Sequence, residues 1–417
     1  MTERVPTAVR RSRAELDRAL ALPARQQPVW PDPDRAASVR ARLAQARAPV
    51  AWPGVRQLSG LLARVAAGEL CVLQAGDCAE DPADSDVADV APKAEMLDVL
   101  GDIMRVGADR PVVRVGRLAG QFAKPRSQPY ETRDGLTLPV FRGPIVNGPE
   151  PTPRARRADP ARMLECHTAA GRAHRALDAL GRGAGADPLE RIWTSHEALL
   201  LDYEAPLIRP TGDGGHYLAS THWPWIGERT RQPDGAHVRL LARLDNPVAC
   251  KVGPRTTAGE VRELCALLDP RRTPGRLTLV ARFGASQVAR LAPLVREVRL
   301  SGHPVLWMCD PMHGNTVQDG DGLKVRRLED IMNEIRGFLT AVSEGGGVCA
   351  GLHIESSPQD IGECAGAGVT PARGPGYRTL CDPRLNLMQA VAVAAHWQQG
   401  TRERVAAEGT AGPTGSR

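Results

Sequence analysis

A chain of 417 residues, 42% hydrophobic and 24% charged, has the composition of a soluble globular protein and the length for one large α/β barrel or two ordinary domains. No apolar run approaches the roughly 20 residues of a membrane-spanning helix. The amino terminus is charged from its third residue and lacks a signal-peptide core, so a cytoplasmic location and no membrane partner are expected. A net charge of +6 raises nucleic-acid binding, but 4% aromatic residues and scattered basic positions speak against it and suit small anionic ligands. Nine cysteines in so long a chain, without a secretion signal, read as mostly reduced, packed thiols.

Residues 1–60 read as a helical extension, with helical spacing in "RRSRAELDRALAL" and "DRAASVRARLAQARAPV" around a proline-rich break. From about residue 69 short apolar runs recur, at 70–75, 111–115, 197–201, 247–252, 277–282, 304–308, 348–354 and, weakly, 377–380. Helical stretches such as "AGEVRELCALL", "SQVARLAPLVREV" and "LEDIMNEIRGFLTAVSE" lie between them. Such alternation predicts a parallel sheet covered on both faces, and about eight strands favour a closed (β/α)₈ TIM barrel over residues 61–399. A doubly wound sheet is the runner-up, but no G-x-G-x-x-G or P-loop pattern supports it. Residues 148–190 read as an excursion of loop and one helix, and 400–417 as a disordered tail.

Polar residues collect after the carboxyl ends of these runs, the rim on which barrel active sites are built. One set is Cys78, His313, Glu355 and Asp382. Thiolate, imidazole and carboxylates suit a divalent Mn, Fe, Co or Zn ion. Taken singly, each is more often a packed thiol, a satisfied core histidine or a paired carboxylate; it is their joint placement at strand ends that argues for a metal. The other set is cationic: Arg117, Lys124, Arg126, Arg229, Lys251, Arg282 and Lys324. Arg126 and Arg229 are open to a surface reading, whereas Lys251 and Arg282 lie in or at the end of apolar strands and need a partner or ligand. Only four lysines occur in the chain, Lys93, Lys124, Lys251 and Lys324, and three of them fall in this set. Metal and cations together point to chemistry on phosphorylated small molecules, with the metal polarising a carbonyl.

The strings "QAGDCAE", "RVGRLAGQFAKPRS", "FRGPIVNG", "TSHEALLLDYE", "STHWPWIGERTRQPDGAHV", "NPVACKVGP", "CDPMHGNT", "GLKVR", "GLHIE" and "CDPRLN" follow one another over roughly residues 70 to 395. In content and order they resemble the class II 3-deoxy-D-arabino-heptulosonate 7-phosphate (DAHP) synthases, which open the shikimate pathway. The resemblance implies a barrel enzyme that condenses phosphoenolpyruvate with erythrose 4-phosphate. It implies Cys78, His313, Glu355 and Asp382 as ligands of Mn²⁺ or Co²⁺, with Zn²⁺ or Fe²⁺ as the other candidates. Arg117, Lys251 and Arg282, helped by the backbone near Glu228, would hold phosphoenolpyruvate. Lys124, Ser127, Arg229 and Lys324 would hold the aldose phosphate or its aldehyde, and Arg126 is a further substrate-binding candidate. Lys124 is the candidate acid, and Glu197 or Glu228 the carboxylate that orients water. With Cys78 as the thiolate ligand, Cys309 reads as a packed thiol and Asp310 as a residue that orients a ligand. A homo-oligomer, dimer or tetramer, is expected. The short 148–190 region and the arginine-rich composition resemble members serving secondary metabolism, so feedback by aromatic amino acids is expected to be weak. An amino-DAHP synthase is the alternative, and a non-catalytic partner subunit a remote one.

Overall fold

The computed structural model describes residues 13–133, 135–320 and 322–397; the tail expected at 400–417 lies outside the described residues. Eight strands form one closed, all-parallel barrel in chain order: β1 (Cys71–Gly76), β2 (Val112–Arg117), β3 (Ile192–Glu197), β4 (Trp223–Ile226), β5 (Val248–Val252), β6 (Leu277–Ala281), β7 (Leu306–Cys309) and β8 (Val348–Glu355), which closes on β1. Both faces of each strand are covered, which is why the strands read as nearly continuous apolar runs.

Among the described residues three helices precede the barrel: α1 (Arg13–Leu20), α2 (Pro33–Gln45) and α3 (Trp52–Ala66). The outer ring is α4 (Val87–Ala108) after β1, α5 (Arg162–Ala179) after β2, α6 (Ala236–Leu241) after β4, α7 (Ala258–Leu268) after β5, α8 (Leu291–Leu300) after β6, α9 (Leu328–Gly345) after β7 and α10 (387–397) after β8. Their ends follow ordinary capping chemistry. The Thr257 hydroxyl accepts the Glu260 N–H at the start of α7, and α9 stops at Gly346 in the left-handed region, φ 70°. After β3 the outer helix shrinks to the single turn Leu201–Glu204.

Four sequence expectations change. The third strand is "IWTSHE", not the following "EALLL"; Leu199 and Leu200 pack instead with Val39, Leu43 and Phe122. The fourth strand, "WPWI", was hidden by its proline and its brevity, yet Pro224 pairs with His196 in register. Residues 377–380 are loop rather than strand, because Tyr377 and Thr379 give their hydroxyls to the carbonyls of Lys324 and Asp382. The 148–190 segment supplies α5, which packs on α4 as the second outer helix of the barrel rather than as an excursion from it.

Helix α3 runs across the division expected between residues 60 and 61. Its Leu58, Leu61, Leu62 and Val65 join one apolar cluster with Val72, Val113, Val115, Trp193, Trp223, Trp225 and Met308 of the strands. It therefore stoppers the amino-terminal end of the lumen. Toward the carboxyl end the lumen turns polar. Gln74 Nε2 donates to Ser195 Oγ at 2.6 Å, and Gln74 Oε1 meets His353 Nδ1 at 2.6 Å. The apolar end carries stability, and the polar end is left for chemistry. Leu62→Ala is expected to lower stability by about 2–5 kcal/mol, as for other buried leucine truncations. Denaturant unfolding checks this, and a loss below about 1 kcal/mol would deny α3 its role as a stopper.

Candidate active site

The rim is organised by what β1 lacks. Gly76 stands level with Arg117 on one neighbouring strand and Glu355 on the other. It adopts φ 141°, and a Cβ there would lie 2.9 Å from the Arg117 carbonyl oxygen. With no side chain between them, Arg117 Nη2 reaches Glu355 Oε1 at 2.8 Å. Arg117 also donates from Nε to the Asp77 carbonyl (2.9 Å) and from Nη1 to His353 Nε2 (2.8 Å), with its guanidinium 5.1 Å from the Trp225 ring centroid. A guanidinium only donates, so His353 Nε2 accepts and Nδ1 carries the proton to Gln74. Burial, seconded by Lys251, pushes His353 well below the usual histidine value and keeps it neutral.

Glu355 is fully buried. Its Oε2 accepts from Arg326 Nη1 at 2.7 Å, while Oε1 faces His313 Nε2 at 3.2 Å and Lys124 Nζ at 3.6 Å. Burial alone would raise its carboxyl; His313, Lys124, Arg326 and Arg117 outweigh burial and hold it well below the usual carboxylate range. His313 is aimed by Asp310, whose Oδ2 lies 2.8 Å from His313 Nδ1 and accepts from Lys251 Nζ at 2.8 Å. Asp310 is thus the orienting residue expected beside His313, and Cys309 is a buried thiol pushed far up by burial.

Asp382 arrives on the loop before α10, its Oδ1 2.7 Å from Lys324 Nζ and its Oδ2 3.5 Å from Lys124 Nζ. Against burial, Lys124 and Lys324 hold its carboxyl far below the usual range. A second layer ties this loop down. Arg384 grips the fully buried Glu363 through Nε (3.1 Å) and Nη2 (2.8 Å) and reaches Asp77 through Nη1 (2.6 Å), while Lys93 pairs with Asp77 from the other side (3.2 Å). Glu363 also accepts the backbone N–H groups of Arg378 and Arg384.

The donor atoms of His313, Glu355 and Asp382 all lie within 4.8 Å of one another. Asp310, His313 and His353 satisfy the same criterion, but both nitrogens of His353 are already engaged. Cys78 stands outside the first grouping, with Sγ 3.2 Å from Thr379 Oγ1. A hydrogen bond from Cys381 lowers its thiol to about 6 against burial, with Lys124 assisting, so the thiolate is favoured at neutral pH. Of the four expected ligands, three converge and the fourth adjoins them in its ligating form. Imidazole, two ionised carboxylates and a thiolate fit a divalent transition ion.

A cavity of about 400 Å³ opens above this cluster, lined by Lys124, Arg126, Ser127, Glu197, Glu228, Arg229, Lys251, Arg282, His313, Lys324 and Asp382. Lys124 stays charged: burial opposes this, and Glu355 and Asp382 outweigh it. Burial draws Lys251 below the ordinary lysine value despite Asp310. Arg282 donates to the His313 carbonyl (2.9 Å) and Arg229 to Ser127 Oγ (2.7 Å). Arg126 Nη2 lies 3.9 Å from Glu131. The two carboxylates expected near water differ. Glu228 is engaged by Arg231 Nε and Nη2, both at 3.2 Å, whereas Glu197 has a buried oxygen without a hydrogen-bond partner and a carboxyl raised by burial.

The class-II DAHP synthetase family model matches residues 14–192 and 188–397. The chain is 47% identical over 390 residues to a probable phospho-2-dehydro-3-deoxyheptonate aldolase of Pseudomonas fluorescens, covering 92% of this chain and 96% of that one. It is 40% identical to the phospho-2-dehydro-3-deoxyheptonate aldolase of Streptomyces coelicolor (89% and 94% covered) and 38% identical to that of Mycolicibacterium smegmatis (92% and 93%). The chain belongs to the class II DAHP synthetase family. Membership makes it a transferase of the DAHP synthase class, built on the barrel described above.

Several residues of this family member's rim were not singled out from sequence. Arg326 is fully buried and joins β8 to two loops, through Glu355, the Thr316 hydroxyl (2.8 Å) and the Pro383 carbonyl. Arg384 stood in plain view inside "CDPRLN". Glu80 accepts the backbone N–H groups of Ala119, Gly120 and Gln121 at 2.6–2.8 Å and so sets the loop that carries Lys124. An arginine-rich chain gives such residues no compositional contrast, and their partners lie far away in sequence.

Arg384→Met leaves Glu363 buried without its fork. Affinity for Mn²⁺, read by chelator competition, is expected to fall about 10–100-fold, as when supports of metal ligands are removed; unchanged affinity would exclude this support. The depressed carboxyls of Glu355 and Asp382 have a pH signature. Their stabilisation is fully present above the unfolded value of about 4 and is lost as pH falls toward the folded values. Unfolding of chelator-treated protein between pH 7 and 3 should show this acid loss, and Glu355→Gln should flatten it. An acid limb identical in the variant would refute the assignment.

Proposed function

We propose that this chain condenses phosphoenolpyruvate with erythrose 4-phosphate to DAHP and inorganic phosphate, as the entry step to the shikimate and aromatic pathway, with a divalent metal held by Cys78, His313, Glu355 and Asp382. The observation that carries the reading is the single cavity into which Lys124, Arg229, Lys251, Arg282 and Lys324 project above the His313–Glu355–Asp382 cluster. With Arg126, six cations line this one small cavity, which suits two phosphorylated substrates. Mn²⁺ or Co²⁺ suits the donor set, and the bound ion supplies polarisation of the aldehyde carbonyl.

The chain's own residues do the rest. Lys251 and Arg282, with Arg117 beneath them, hold the phosphate and carboxylate of phosphoenolpyruvate. Arg126, Ser127, Arg229 and Lys324 hold the aldose phosphate so that its aldehyde carbon faces C3 of the enol. As the C3–C1 bond forms, Lys124 delivers a proton to the former aldehyde oxygen. Water adds at C2 and gives one proton to Glu197, whose raised carboxyl and unpartnered oxygen suit it better than Glu228. The C2–O bond to phosphate then breaks as the C2 hydroxyl gives its proton to the departing phosphate and becomes the ketone, and phosphate leaves toward the arginines. Holding two polyanions at bonding distance is the greater part of the catalysis.

Purified protein with both substrates should release phosphate, lose activity in EDTA and regain it with Mn²⁺. Consumption of neither substrate would overturn the reading, and turnover of the imino analogue instead would assign the amino variant. Cys78→Ala should abolish turnover with the fold intact. Glu197→Gln should lower kcat about 100-fold or more with both KM values little changed, a loss typical of a positioned base; an unaltered kcat would return the water-orienting role to Glu228.

A further inference from the structure

The segment joining α1 to α2 lies outside the barrel in sequence but on its rim in space. Arg25 and Gln26 line a second cavity of about 690 Å³ that shares Arg126, Ser127, Arg229 and Arg282 with the first. Gln26 adopts φ 66°, a left-handed conformation that non-glycine residues rarely hold without a local reason. Its side-chain Oε1 accepts the Arg126 backbone N–H at 2.8 Å, and its carbonyl accepts from Arg142 Nη1 at 3.4 Å. The Arg142 carbonyl in turn accepts the Lys124 N–H at 2.9 Å. Segment 124–127 is therefore held from two sides, at Lys124 by Arg142 and at Arg126 by Gln26.

The holder is itself fixed. The next residue, Gln27, donates to the Leu199 carbonyl (2.8 Å) and accepts the Leu201 N–H (2.9 Å), and the Pro23 carbonyl accepts the Ala236 N–H (3.0 Å). Residues 23–27 are pinned to the segment after β3 and to the start of α6 as well as to 124–127. We infer that Gln26 is a positioning residue for the aldose-phosphate subsite, acting through the Arg126 backbone on Arg126 and Ser127. The inference rests on the assignment of Arg126, Ser127 and Arg229 to that subsite. Arg126 bears one charge of the subsite, and the Ser127 hydroxyl receives Arg229, so one lost acceptor disturbs two contacts to the same phosphate. The phosphoenolpyruvate residues Arg117, Lys251 and Arg282 take their support from Asp77, Asp310 and His313 and do not depend on Gln26.

Two variants test this. Gln26→Met keeps the side-chain length and the backbone conformation but has no acceptor oxygen. Gln26→Gly removes the acceptor while relieving the left-handed backbone, so it folds even if the methionine variant does not. In steady-state kinetics both should raise KM for erythrose 4-phosphate about tenfold, the upper range for one lost hydrogen bond, with KM for phosphoenolpyruvate within about twofold. Arg126→Ala serves as the reference. If it raises the aldose-phosphate KM and neither Gln26 variant does, the role of Gln26 is overturned and the subsite stands. If Arg126→Ala itself leaves that KM unchanged, the subsite assignment falls and the inference with it. Equal rises in both KM values would make Gln26 a structural residue only.

Discussion

A carboxylate with no exposure to water stands at the centre of this site. Glu355 lies among Arg117, Arg326, Lys124 and His313, and an unpaired buried charge there would be strongly destabilising. Each of its oxygens has its own company: Arg326 fixes Oε2, and Oε1 turns toward His313 and Lys124. Asp310 holds His313 and Lys251 in turn, and Asp382 holds Lys124, so the charges form a connected lattice rather than separate pairs. Removing one partner leaves another charge stranded, which explains why so much of the rim is built from fully buried ionisable groups.

That lattice has a functional slope. Deep in the lumen Arg117, Lys124, Lys251 and Arg326 are matched by carboxylates, whereas toward the mouth Arg282 leans on a carbonyl and Arg229 on a hydroxyl. Charge that is compensated below and under-compensated above draws anionic substrates down to the point where chemistry is possible. The pKa directions agree with this division. Lys124 is held charged by two carboxylates, Lys251 is drawn down by burial, and Glu197 is raised because its nearest companions do not fully offset its desolvation.

The barrel itself could be read in the sequence because its strands are buried on both faces and helices alternate with them. "WPWI" could not: a four-residue strand with a proline looks like a loop until its neighbours are known. Of the proposed metal donors, Cys78, His313 and Glu355 were legible beyond or at strand ends and Asp382 only through its motif, since 377–380 is loop; His313, Glu355 and Asp382 do converge. Cys78 shows the limit of motif reading, since its surroundings depend on Thr379 and Cys381, some 300 residues away. Arg326, Arg384 and Gln26 were illegible for the same reason. Each acts through a partner distant in sequence, and an arginine or glutamine carries no local mark of burial.

The gap at Gly76 has a consequence for assembly. The pair that crosses it joins β2 to β8 over β1, the seam where the barrel's two chain ends meet. Cys78 enters the chain early, and His313, Glu355 and Asp382 enter near its end, so no subset of consecutive strands short of the full barrel contains all four proposed ligands. The complete set of four donors is thus a readout of ring closure: it assembles only once the last strand has docked against the first.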